Sequence, residues 1–150
     1  MEGIITIPRS ENLNTTVDQR RFRNYVIKAT SETPFVALEM ANRTLLIKGT
    51  SHPEDPREFY DKVDKLLAFY LADGRKSLTV NLSLEYFNTS SARYLYLLMT
   101  QLKEYQEDGM DINVNWYYKI DDEDMLLSGK NFSSYTQLEL KLVPTSPSRY

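Results

Sequence analysis

Two stretches of this chain alternate apolar and polar side chains one for one, and a run of helical period lies between them. Ser77 to Asn88 sets Leu78, Val80, Leu82, Leu84 and Tyr86 against Thr79, Asn81, Ser83 and Glu85. Asp111 to Lys119 sets Ile112, Val114, Trp116 and Tyr118 against Asn113, Asn115 and Tyr117. A period of two means an extended strand with one face toward a core and the other toward water. Between them, residues 89–108 carry Ala92, Leu95, Met99, Leu102 and Tyr105 at helical spacing, and Gly109 stops the run. Strand, helix, strand in that order predicts a parallel pair joined by a right-handed crossover. A sheet covered on both faces would be apolar on both, and these strands are not. The helices are therefore expected mainly on one face.

The rest of the chain extends this plan. Asn24–Ala29, Phe35–Met40 and Thr44–Lys48 read as strands, the last two joined through Ala41-Asn42-Arg43 as a hairpin. Asp55 is a good N-cap, Pro56 suits the first helical position, and Glu58 follows three residues after the cap. Phe59, Val63, Leu66, Leu67 and Tyr70 then share one helical face, and Gly74 ends the helix. Asp121 to Asn131 reads as a short helix, and Gln137 to Val143 as a last strand with Leu138, Leu140 and Leu142 on one side. The expected architecture is a single α/β (α+β) domain over residues 23–143. It has a mixed sheet of five or six strands, with two long helices and one short helix mainly on one face. Residues 1–22, polar and with the basic cluster Arg20-Arg21-Phe22-Arg23 at their boundary with the domain, are expected to form a flexible arm, and 144–150 a loose tail.

Composition removes several function classes. The 18 basic and 21 acidic residues leave a net charge of −3, which gives no electrostatic reason to expect nucleic acid or an anionic membrane as partner. There is no cysteine, so disulfides and thiolate chemistry are excluded. No run approaches the roughly 20 apolar residues of a membrane span. The opening MEGIITIPRSEN lacks the basic and apolar regions of a secretion signal, so a cytoplasmic protein is expected.

Enzyme motifs are scarce. The single histidine, His52, precedes Pro53 in a loop and has no metal or catalytic partner close in sequence beyond Glu54 and Asp55. The glycines form no phosphate loop, and no Gly-x-Ser-x-Gly elbow occurs. The run Asp121, Asp122, Glu123, Asp124 lacks the glycine and spaced ligands of a calcium loop and suits the positive end of a helix dipole. No catalytic residue, metal or cofactor is expected.

What stands out is Asn88-Thr89-Ser90-Ser91, where strand turns into helix. Any one of the four can cap a helix, and capping with turn chemistry accounts for one or two of them. The first turn of a helix presents unpaired backbone N–H groups and a positive partial charge. A phosphoryl group brings about −1.5 to −2 charges and three acceptor oxygens to such a place. Surplus hydroxyls there suit reversible phosphorylation.

At this stretch the chain resembles the SiaC family of bacterial regulatory phosphoproteins. The resemblance is carried by Thr33-Pro34, by Gly49 with Ser51-His52-Pro53-Glu54, and by Asn81-Leu82-Ser83-Leu84-Glu85-Tyr86-Phe87-Asn88-Thr89-Ser90-Ser91. It spans about Tyr25 to Val143. It implies a STAS-like, non-enzymatic switch in a partner-switching system, with the phosphorylated residue at Thr89 and a switch loop of Asn88, Ser90 and Ser91. The implied partners are a serine/threonine kinase of the histidine-kinase-like ATPase fold, a PP2C-type phosphatase, and a downstream target such as a diguanylate cyclase. Glu85, Phe87, Arg93, Tyr94 and Leu97 flank the site and are expected to contact partners. The alternative is a module that binds a small ligand, or another protein, on the polar sheet face through Thr79, Asn81, Ser83, Asn113, Asn115 and Tyr117.

Overall fold

A computed structural model describes residues 23–147. The expected arm falls outside that range, as does the end of the expected tail. Six strands follow one another across one sheet in chain order: β1 (Asn24–Ile27), β2 (Phe35–Glu39), β3 (Thr44–Ser51), β4 (Ser77–Phe87), β5 (Asp111–Lys119) and β6 (Leu140–Thr145). β1, β2 and β3 pair antiparallel. β3 through β6 pair parallel. Each parallel step carries a helix: α1 (Pro56–Ala72), α2 (Thr89–Glu107) and α3 (Glu123–Thr136).

All three crossovers step the same way along the sheet. Right-handed connections then place all three helices on one face. One core results, built from Leu78, Val80, Leu82 and Leu84 of β4, Ile112, Val114 and Trp116 of β5, and the inward stripes of the helices. On the bare face the sheet supplies its own contacts. Asn115 Nδ2 donates to Asn81 Oδ1 at 2.9 Å across β4 and β5.

The strand alternation breaks at one place. β3 and β4 run in register to Gly49 opposite Leu84, and the next pair is Thr50 opposite Tyr86. Glu85 is thus an extra residue, a β-bulge. Bulges bend the strand and re-aim the side chains that follow. The alternating pattern assigns Tyr86 to the core side, but the bulge reverses this. Tyr86 is 52% exposed. Phe87 turns inward against Trp116, with centroids 6.2 Å apart, and Phe132 at 5.9 Å. Gly49 has φ +125°, open to glycine at little cost. A Cβ there would lie 3.5 Å from the Pro34 backbone, so the Thr33-Pro34 and Gly49 pieces meet in space.

The helix after β5 is longer than the sequence pattern indicates. It runs from Glu123 to Thr136 rather than stopping near Asn131, with Asp122 as N-cap. Ser133, Ser134 and Thr136 are poor helix formers, but tertiary packing of Phe132 and Thr136 holds the last turn. Thr136 Oγ1 returns a hydrogen bond to Phe132 O at 2.7 Å. The last strand likewise begins at Leu140, not Gln137, and includes Pro144 and Thr145, which the sequence reading assigns to the tail.

α3 approaches the sheet closely at Gly129. A Cβ there would stand 2.6 Å from Trp116 Cδ1 and 2.9 Å from Leu142 Cδ2. The Trp116 indole is held in place because its Nε1 donates to Met125 O at 2.9 Å. Gly129→Ala is therefore expected to destabilise the fold by about 1–3 kcal/mol, despite alanine's better helix propensity. Urea denaturation would read this as a lower midpoint at unchanged slope.

Candidate functional site

The hydroxyl-rich run lies where β4 becomes α2, and its four residues take four different positions. Asn88 is the N-cap, and its Oδ1 accepts from Ser91 N at 2.9 Å. Thr89 and Ser90 occupy the first two helical positions and are exposed. Ser91 is fully buried. The run thus divides into one cap, two hydroxyls facing water and one facing the core.

Beneath the exposed pair lies a chain of buried hydroxyls. Ser51 Oγ, at the end of β3, donates to Ser91 Oγ at 2.8 Å. Tyr60 OH, from α1, lies 2.8 Å from Ser51 Oγ. Serine has one hydroxyl proton, already given to Ser91, so Tyr60 is the donor to Ser51. All three side chains are at most 3% exposed. The backbone adds a further tie, Asn88 N to Ser51 O at 3.0 Å. The first turn of α2 is thereby fixed to β3 and α1 at once. Burial pushes the Tyr60 phenol above its usual pKa of 10.0, and the neighbouring hydroxyls of Ser51 and Ser91 oppose that in part.

The chain leads outward through stacking. The Tyr60 and Tyr94 rings lie 5.6 Å apart and nearly parallel at 11°. Tyr94 is therefore half-buried and braced. Arg93 is exposed on the outer side of α2, and so is Leu97 at 48%. Glu85 is exposed at the bulge. Phe87 is half-buried in the aromatic cluster with Trp116 and Phe132, so the structure separates it from the exposed members of the expected contact set. Pattern reasoning passes over two exposed aromatics nearby, Tyr86 and Tyr96. Tyr86 lies 6.0 Å from the ring of His52, and the bulge that turns it outward has no signature in hydrophobic period.

Charge around the helix start is distinctive. α1 carries Glu58 in its first turn, and α3 carries Glu123 and Asp124. The first turn of α2 carries no acid. Its positive end is left without a neighbouring carboxylate from its own turn, which favours the arrival of an anion there. No group of three metal-binding side chains occurs among the described residues. Nor, among the same residues, is any helix long and apolar enough to cross a membrane.

The SiaC family model, described as SiaC family regulatory phosphoprotein, matches residues 27–145. The chain belongs to the SiaC family. It is 30% identical over 92 residues to an uncharacterized protein of Pseudomonas aeruginosa, covering 61% of this chain and 73% of that one. The fold is similar to a chain in the crystal structure of the diguanylate cyclase SiaD in complex with its activator SiaC from Pseudomonas aeruginosa. That match has a TM-score of 0.74 at 25% identity and covers 80% of this chain and 98% of that one. Apo-SiaC from the same organism gives a TM-score of 0.72, also at 25% identity, with the same coverage. The family match includes every residue of the hydroxyl run and of the buried chain beneath it.

Removing the middle of that chain isolates two buried groups. Ser51→Ala leaves the Tyr60 proton and the Ser91 oxygen without this partner and is expected to cost about 1–3 kcal/mol in urea unfolding. The raised Tyr60 pKa has a definite sign. The folded state holds the phenol proton more tightly than the unfolded chain, so this stabilisation is complete below pH 10 and lost as pH rises past it. The urea midpoint is expected to fall above that pH, and to fall less in Tyr60→Phe.

Proposed function

We propose that this protein is a non-enzymatic cytoplasmic switch, phosphorylated on Thr89 by a partner serine/threonine kinase of the histidine-kinase-like ATPase fold. A PP2C-type phosphatase reverses the modification. The unmodified form binds and regulates a downstream target, a diguanylate cyclase by analogy with the SiaC–SiaD complex. The observation that carries this reading is the exposed Thr89 at the first position of α2, in a turn without acids and with a buried anchor.

The chemistry follows from that placement. The Thr89 hydroxyl is open to an enzyme while the turn stays folded, because Asn88 and Ser91 supply the cap and the anchor. A transferred phosphoryl group would meet the positive end of α2, an interaction worth about 0.3–1 kcal/mol per unit charge and up to ~2 when partly buried. The same group would oppose a docked target through desolvation and charge repulsion. Arg93 and Leu97 lie about one and two turns further along the helix, on its outer side, and form the target contact with the braced Tyr94. Ser90 is exposed beside it and shapes the site that the kinase reads. The fully buried Ser91 is a positioning residue and not a phosphate acceptor.

The test is phosphosite mapping with the cognate kinase and ATP. One phosphoryl group on Thr89 is expected, and none on Thr89→Ala. Undiminished labelling of Thr89→Ala, or phosphate only among the C-terminal serines, would overturn the reading.

A further inference from the structure

β4 and β5 part before either of them ends. Their ladder stops at Leu82 opposite Trp116. β4 continues to Phe87 and β5 to Lys119. Beyond the last shared pair each strand keeps only its other neighbour. Ser83, Leu84, Tyr86 and Phe87 pair with β3, and Tyr117, Tyr118 and Lys119 pair with β6. No register pair joins residues 83–87 to 117–119. This gap lies inside the sheet, not at its edge, so the facing N–H and C=O groups have lost their strand partner and must find another.

The gap opens into a cavity of about 530 Å³, lined among others by Lys48, Ser83, Glu85, Tyr117, Lys119 and Asp122. It lies toward the carboxyl ends of the parallel strands β4 and β5. Two cations border it, Lys48 from β3 and Lys119 from β5, on opposite sides of β4. Neither forms an ion pair among the described residues. The Asp122 carboxylate is already engaged, accepting from Met125 N at 3.0 Å as the cap of α3. Glu85 supplies a further acceptor in the lining.

We propose that the split between β4 and β5 binds a small hydrophilic anion, a phosphate ester or a carboxylate. The two ammonium groups supply charge, and the strand amides beyond the last β4–β5 pair supply donors. The hydroxyls of Ser83 and Tyr117 add donors that orient the anion. Glu85 accepts from a hydroxyl or amino group on the ligand and works against a bare polyanion. The polar and charged walls disfavour an apolar ligand, and no trio of metal-binding side chains offers a metal site there. This site is separate from Thr89 and does not depend on the phosphorylation reading.

The experiment is an amide NMR titration of the full, unmodified chain with inorganic phosphate and with citrate, against sodium chloride at matched ionic strength. Saturable shifts are expected at Ser83, Leu84, Glu85, Tyr117 and Tyr118 with one of the two anions, and none with chloride. The stronger of the two identifies the headgroup. Lys48→Gln and Lys119→Gln are each expected to weaken binding about tenfold or more, as loss of a charge-assisted hydrogen bond does. Retention of the remaining amide spectrum separates this from a folding defect. Absence of saturation at those amides, or equal binding by both variants, would overturn the proposal, as would shifts spread over surface lysines generally.

Discussion

The start of α2 is held from below. One buried hydroxyl chain, Tyr60 to Ser51 to Ser91, joins α1, the end of β3 and the first turn of α2. Each oxygen is satisfied by the next, and a buried hydroxyl left alone would be costly. This fixes where Thr89 stands. It also means that the chemistry above the turn and the packing below it are carried by different residues of one short run. The outer hydroxyls of Thr89 and Ser90 stay exposed while the inner one of Ser91 keeps the helix in place.

The sheet order gives that turn its setting. Because β3 to β6 follow in sequence, all the helices share one face, and the first turn of α2 emerges beside the end of β3. The bulge at Glu85 lies just before it. It sends Phe87 into the aromatic cluster and Tyr86 outward beside His52. The Thr33-Pro34, Gly49 and Ser51–Glu54 pieces, scattered in the chain, thereby lie around one corner of the molecule. Gly49 passes close to Pro34, Ser51 reaches Ser91, and the His52 N–H donates to Glu32 O at 2.8 Å.

Much of this is legible in the sequence, for a physical reason. Alternation in 77–84 and 111–119 follows directly from burial on one side, so strand, crossover and bare face can all be read from it. The caps at Asp55 and Asn88 are local chemistry and equally readable. The misreadings share a cause, which is dependence on non-local partners. The bulge at Glu85 answers to β3, so the period of β4 alone carries Tyr86 to the wrong face. Ser91 looks like turn chemistry until Ser51 and Tyr60, distant in sequence, are placed beneath it. The last turn of α3 is held by the packing of Phe132 and Thr136, which no propensity shows. The division of the hydroxyl run into outer and inner members is likewise a tertiary fact.

The central claim is that a phosphoryl group on Thr89 remakes the docking surface while the anchored turn beneath it stays folded. Calorimetric titration of the unmodified and the Thr89-phosphorylated protein against the cyclase partner tests it most directly. The account predicts clear binding by the unmodified form and at least about tenfold weaker binding by the phosphorylated one, a difference of about 1.4 kcal/mol. Equal affinity of the two forms would contradict it.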